Sequence, residues 1–292
     1  ALPSNPVRFL GRVIDGSLSD RNSIDELENK LKSGLKIIDK SKLKGVQKLW
    51  VMQFLLMPRI RWTLMIYEIA FKKVEQLEST ISAYSRKWLG LHKNISNLSL
   101  YSPDLPCLLP LKSLTSIFKN TKAGSFLQLK HSSDELINSF PFDFDSKKYD
   151  VSKLVNTAEE EIDFNSIKGH TQFNKKGFNK NENKYIPPKN SKKYRDLVSS
   201  TIKDIQNEKD ICQAVQLSVQ GQWSNWKNYI SSEFSWKCLF ALPPNLTSFC
   251  IGSTFDTLAT PNNLRRWGYT KDSKCMLYSA ISCSVSHMFY QD

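Results

Sequence analysis

Two shortages in this chain exclude whole classes of protein: it has no long hydrophobic run and almost no histidine. The longest apolar stretch, residues 49–57, contains Gln53 and ends at Pro58-Arg59. A bilayer-spanning helix requires about 20 apolar residues, so this stretch is expected in a protein core. Only 4 histidines occur among 292 residues, and they show no pairing. With no Ser, His and Asp order of a hydrolase and no Walker phosphate loop, little supports an independent enzyme. The 6 cysteines lack framework spacing outside a C-terminal pair. No secretory leader is evident, so reduced thiols in a nuclear or cytoplasmic, non-secreted protein are expected.

What the chain has is positive charge. Its 41 Lys and Arg outnumber 28 Asp and Glu, a net charge of +13 with a pI near 9.4. The excess is local: residues 1–100 hold 17 basic against 9 acidic side chains and residues 171–200 hold 8 against 2, whereas residues 101–170 hold 8 against 10. Two basic regions flanking an acidic middle point to a polyanionic partner, with solvation by a lysine-rich composition as the plain alternative.

Helical periodicity dominates. A strand or hairpin is expected over residues 6–15, then a helix from about 23 to 39, opened by the capping box Ser23-Ile24-Asp25-Glu26 and carrying Leu27, Leu31, Leu35 and Ile38. A second helix begins near Leu43 and should bend or break at Pro58. The third is the clearest, with Val74, Leu77, Ile81, Tyr84, Trp88 and Leu91 on one stripe. Short helices and loops are expected through about 170. Residues 172–195, rich in Asn and Lys, read as a flexible basic linker in which Phe173, Phe178 and Tyr185 either stack on bases or do nothing. A long helix from Tyr194 to Val219 follows, then an aromatic core of Trp223, Trp226 and Trp236; the pattern over residues 249–258 fits a helix or a strand. The fold class is therefore mainly α, in five segments: a hairpin (1–22), a helical bundle (23–125), a connector (126–171), the linker (172–195) and a C-terminal helical region (196–292). Phe142-Asp143-Phe144-Asp145 lacks the third carboxylate of a two-metal site and reads as a solvated acidic loop, as Glu159-Glu160-Glu161 reads as a helix surface.

A series of motifs runs through nearly the whole chain: Pro6-Val7-Arg8-Phe9-Leu10-Gly11, Gly45-Val46-Gln47-Lys48-Leu49-Trp50, Leu56-Met57-Pro58-Arg59-Ile60-Arg61-Trp62, Tyr84-Ser85-Arg86-Lys87-Trp88-Leu89-Gly90-Leu91, Leu109-Pro110-Leu111-Lys112-Ser113-Leu114, Gln220-Gly221-Gln222-Trp223-Ser224-Asn225-Trp226 and Thr260-Pro261-Asn262-Asn263-Leu264-Arg265-Arg266-Trp267-Gly268. In this order the chain resembles the part of animal non-LTR retrotransposon reverse transcriptases that runs from the exit of the polymerase palm through the thumb to a zinc knuckle. The resemblance implies that the catalytic palm is missing, that both ends are cuts through a longer polypeptide, and that the parent is an RNA-directed DNA polymerase using magnesium. It also implies a thumb holding RNA, DNA or an RNA/DNA duplex by its phosphates, for which the candidate cations are Lys42, Lys44, Lys48, Arg59, Arg61, Lys72, Lys73, Arg86 and Lys87, with Arg265 and Arg266 in the lead-in to the knuckle. Trp267 reads as a core anchor or as a stacking platform.

The knuckle itself has an incomplete ligand set. A closed zinc site has four protein ligands, and here Tyr278 and Asp292 stand where cysteines belong, leaving Cys275, Cys283 and His287 as the candidate metal ligands, with Asp292 a weak fourth. Zinc binding is not expected, and no other cofactor is expected for this chain. The main expectation is a non-catalytic polymerase fragment that binds nucleic acid. The alternative is a decayed or domesticated transposon remnant acting as an interaction module.

Overall fold

The computed structural model describes residues 7–9, 12–14, 19–102, 105–139, 148–168, 173–174, 177–178, 186–225, 233–275 and 283–285. The protein is mainly helical, about 68% helix against 3% strand, with a small N-terminal hairpin, as the periodicity predicts. In that hairpin β1 (Val7–Phe9) runs antiparallel to β2 (Arg12–Ile14), and β3 (Phe173–Asn174) pairs likewise with β4 (Gly177–Phe178). Strands this short cannot form a layer, so the core is helix against helix. The helices are α1 (Arg21–Lys40), α2 (Gly45–Val51), α3 (Met57–Ile66), α4 (Phe71–Leu89), α5 (Leu98–Tyr101), α6 (Leu114–Lys130), α7 (Glu135–Ser139), α8 (Val151–Lys168), α9 (Lys192–Gln216), α10 (Trp236–Ala241), α11 (Pro244–Thr254) and α12 (Pro261–Arg266). The chain divides into two units: Ala1–Lys32, Leu56–Glu78 and Ser113–Gln206 form the first, and Ser33–Leu55, Ser79–Lys112 and Asn207–Asp292 the second.

The first unit is built on α6, α8 and the N-terminal half of α9. Ala123, Phe126 and Leu127 meet Val155, Ala158 and Ile162 and then Tyr194, Val198 and Ile202, each set at helical spacing and each buried. Alanine at two of these places lets the backbones approach closely. On its other side α6 packs on α3, whose last carbonyls are closed by a side chain and not by a glycine: Lys122 Nζ donates to Met65 O at 2.7 Å and Tyr67 O at 2.9 Å. A cation at a helix C-terminus opposes the helix dipole and satisfies orphan carbonyls, although burial pulls the Lys122 pKa below its ordinary value. Asp20 ties the hairpin to the bundle, accepting from Arg12 at 3.4 Å and from the Glu68 amide at 3.0 Å, while the Tyr67 hydroxyl accepts from the Val13 amide at 2.9 Å.

In the second unit Leu35, Leu49, Met52, Ile81, Trp88 and Leu100 lie in the core. The first turn of α2 lies against the last of α4 so closely that a Cβ on Gly45 would sit 1.8 Å from Trp88 O. Gly90, at φ +68, then ends α4 in the left-handed conformation that favours glycine. Gln220 holds the segment after it by two bonds, accepting from the Ser96 amide and donating to Asn94 O, both at 2.8 Å. Asn263 is fully buried and its amide group donates to Asp256 and to Leu258 O, fixing α12 on the turn before it.

Several local expectations are corrected. Ser23 does not cap α1: the helix begins at Arg21 with the Ile24 amide on Asp20 O, and Ser23 is buried inside it, because Asp20 is already held by Arg12 and Glu68. At Pro58 α geometry is interrupted without ending the helical run: a π turn over Met52–Leu56 joins α2 to α3, widening the helix just where proline would strike the preceding turn and withhold its N–H. Between residues 114 and 168 the structure has two long helices, α6 and α8, as well as the short α7. Residues 172–195 fold in part: β3, β4 and the start of α9 fall within them, and Ile186 packs against the α6–α8–α9 core. Residues 244–254 are helical, which resolves the undecided pattern there. Trp223 is buried, but Trp236 is half exposed in a different setting, and Trp226 lies outside the described residues, as do Tyr185 and the acidic pair Asp143 and Asp145.

Candidate nucleic-acid interface

Most of the predicted cations are occupied inside the fold. In the second unit one carboxylate gathers three neighbours: Asp39 accepts from Lys87 Nζ at 2.7 Å and Trp88 Nε1 at 2.9 Å, and its backbone carbonyl accepts from Lys48 Nζ at 2.7 Å. These bonds hold the Asp39 carboxyl below the usual carboxylate range, with Lys87 the leading cause. Arg86 turns inward, donating to Ile95 O at 3.0 Å and pairing with Asn97, and burial is what lowers its pKa. Arg265 reaches Ser273 at 3.3 Å, and Arg266 reaches Asp256 O at 3.3 Å and its carboxylate at 3.8 Å. In the first unit Arg61 donates to Thr121 at 3.3 Å and Lys73 pairs with Glu28.

Of the eleven predicted cations, Lys42, Lys44, Arg59 and Lys72 remain exposed with no side-chain bond to a described residue. The structure adds two that sequence reasoning missed. Lys36 and Lys40, exposed on the last turns of α1, lead directly into the loop that carries Lys42 and Lys44. Four lysines thus fall within nine residues, and the only acidic side chain among them, Asp39, is engaged by Lys87 and Trp88. The i, i+4 spacing of Lys36 and Lys40, off the Leu35 and Ile38 face, is the signal that was there to be read. Lysines here also stabilise α1, since its C-terminal dipole is negative.

The tail gives a different picture. Trp267 is neither core nor free platform: it stacks on His92 with centroids 3.9 Å apart and planes 8° from parallel. Burial, with Lys93 and Arg266 nearby, lowers the His92 pKa, which favours the neutral ring beside Trp267. The Cys275 side chain hydrogen-bonds that of Cys283, whose own amide donates to Ser273 O at 2.9 Å and whose carbonyl accepts from the Asn262 amide at 3.2 Å. His287, Tyr278 and Asp292 lie outside the described residues, and among those described no three His, Cys, Asp or Glu side chains converge as a metal site requires. No described helix is long and apolar enough to cross a membrane. Compared with models of known protein families and with curated proteins, the sequence matches none of either.

Proposed function

We propose that this chain is the non-catalytic, nucleic-acid-binding part of a retrotransposon RNA-directed DNA polymerase, holding RNA or a primer/template duplex by its phosphates. The observation that carries the reading is the lysine strip of the second unit. Lys36, Lys40, Lys42 and Lys44 stand exposed around a carboxylate that is bonded elsewhere, so their charge is available to a polyanion. The motif series supports it from the sequence side and supplies the parent activity, with the magnesium that the resemblance assigns to the parent polymerase. Backbone contacts of this kind position a duplex without reading its sequence.

Titrating labelled RNA and an RNA/DNA hybrid against salt tests the assignment. Binding should weaken steeply with salt, by about 0.9 in logarithmic slope for each phosphate neutralised on a B-form duplex and about 0.7 on a single strand. Reversing all four lysines to glutamate should reduce the slope by about 3 on single strands, with helical content unchanged. Equal slopes for the variant and the original protein would remove the strip from the interface and the proposal with it.

A further inference from the structure

Four aromatic rings on the second unit form a row that the core does not use. Trp50 and Phe54, one turn apart where α2 enters the π turn, have centroids 5.2 Å apart. Phe54 meets Trp236 of α10 edge to face at 5.7 Å, and Trp236 meets Phe240, one turn further along α10, at 6.3 Å. The rings brace one another, yet Trp50, Phe54 and Phe240 are 39%, 46% and 50% exposed, and Leu55 beside them is 49% exposed. Rings left open to water forgo the hydrophobic stabilisation that burial would bring, and a contiguous group of them marks a contact surface.

Lysines predominate in the segments that carry the row. Residues 40–55 contain four lysines and no carboxylate, and residues 233–255 contain Glu233 and Lys237 as their charged side chains. Lys44 precedes α2 directly and Lys237 follows Trp236 on α10, both with exposed side chains. About 9 Å of helix rise separates the Lys44 backbone from that of Trp50, so the last lysine of the strip lies within two turns of the aromatic row.

The geometry points to a stacking platform for unpaired bases of a single-stranded nucleic acid, with Trp50, Phe54 and Phe240 offering ring faces and Lys44 and Lys237 meeting the phosphates. Base stacking on aromatic side chains is indifferent to sequence, and a margin with exposed lysines suits a polyanion that carries a ring at every repeat. An apolar helix from another protein would fit the rings but would gain nothing from that margin. The inference rests on the nucleic-acid reading above and adds the form of the ligand: a duplex keeps its base faces stacked inside, so only unpaired strand can use the row.

The test compares a labelled 20-nucleotide oligouridylate with an RNA/DNA hybrid of the same length, using the whole chain. Two variants separate ring face from apolar bulk: Phe54→Ala with Phe240→Ala, and Phe54→Leu with Phe240→Leu. Both should bind oligouridylate at least about tenfold more weakly, the size of one or more lost base stacks, with hybrid affinity and salt slope unchanged. Full affinity in the leucine variant would make the row a hydrophobic docking face and overturn the inference, as would equal losses on both ligands. Hybrid binding without oligouridylate binding in the original protein overturns the platform alone; binding of neither overturns the nucleic-acid reading as well. A dimer that the alanine variant dissociates, with oligouridylate affinity intact, would assign the row to a second copy of the chain.

Discussion

The contrast between the two units can be read along a single helix. In the N-terminal half of α1, which belongs to the first unit, lysines are matched four residues apart by glutamates: Glu26 with Lys30 and Glu28 with Lys32, both at 2.6 Å. In the C-terminal half, which belongs to the second, Lys36 and Lys40 continue the same spacing with no acidic partner. The units as wholes repeat the pattern, with 25 basic against 20 acidic side chains in the first and 16 against 8 in the second. The first uses cations as structural parts, on the end of α3 through Lys122 and across helices through the Lys73–Glu28 and Lys130–Glu159 pairs. The second also holds cations in internal bonds, Lys48 and Arg86 among them, but it ties its acidic Asp39 inward and leaves Lys36, Lys40, Lys42 and Lys44 outside. A helix surface of the first kind is self-neutralising; one of the second kind attracts counterions or a partner that replaces them.

Glycine substitutions give the largest separation between the units. Gly45→Ala in the second unit places a methyl 1.8 Å from a backbone carbonyl that belongs to α4 and cannot turn aside. The loss should exceed about 3 kcal/mol, beyond ordinary overpacking. Gly124→Ala in the first unit meets nothing within 4 Å in the middle of α6, and should stabilise by about 0.5–1 kcal/mol. Tryptophan fluorescence reads the difference cleanly, because six of the seven tryptophans lie in the second unit and only Trp62 in the first. A Gly45→Ala protein that unfolds at the original denaturant midpoint would mean that α2 does not pack on α4 as described.

Next in size is Lys122→Met, which keeps the apolar stem and removes the ammonium. The carbonyls of Met65 and Tyr67 then lose their shared donor, and a buried group stripped of its partner costs about 1–3 kcal/mol. Amide exchange should quicken in the last turn of α3 while the tryptophan transition of the second unit stays in place. Stabilisation by methionine would show that the cost of burying the charge outweighs its two bonds.

How much of this was legible follows from whether the controlling contact is local. The stripes of α1 and α4 could be read because Leu27, Leu31 and Leu35, or Val74, Leu77 and Ile81, need only the helical period to find one face. Ser23 misled because α1 starts two residues before it, at Arg21, with the Ile24 amide on the carbonyl of Asp20, whose carboxylate is held by Arg12 and by the Glu68 amide 48 residues away. Pro58 signalled an interruption but not its form, because a π turn is a rare answer to a common problem. Among the cations, Lys44 and Lys48 are four residues apart and alike as letters; only the fold shows that Lys48 reaches Asp39 O while Lys44 does not turn inward. The same holds for Arg86, whose partners Ile95 and Asn97 lie beyond the end of its helix. The glycines of the motif series proved the most physical of its letters, Gly45 for close approach and Gly90 for its positive φ.

The smallest effect tests the hinge of the comparison, Asp39, where stability and binding should move in opposite directions. Asp39→Asn keeps an acceptor for Trp88 but loses the ion pair to Lys87, whose own side chain is 64% exposed, so the cost at pH 7 should be about 0.5–1 kcal/mol. Because the folded-state pKa of Asp39 lies below its unfolded value, the unfolded chain takes up the proton first as pH falls. The contribution is therefore complete above the ordinary carboxylate pKa and is lost as pH drops through the lowered one; denaturation followed by tryptophan fluorescence should show a shallower acid decline in the variant. At the same time the variant removes the only negative charge within the lysine strip and releases Lys87, so RNA affinity at low salt should rise a few-fold, on the order of the attraction one added net positive charge supplies at the interface. A variant that is both less stable and a weaker binder would place Asp39 outside the strip's field and leave the excess charge of the second unit without the role assigned to it.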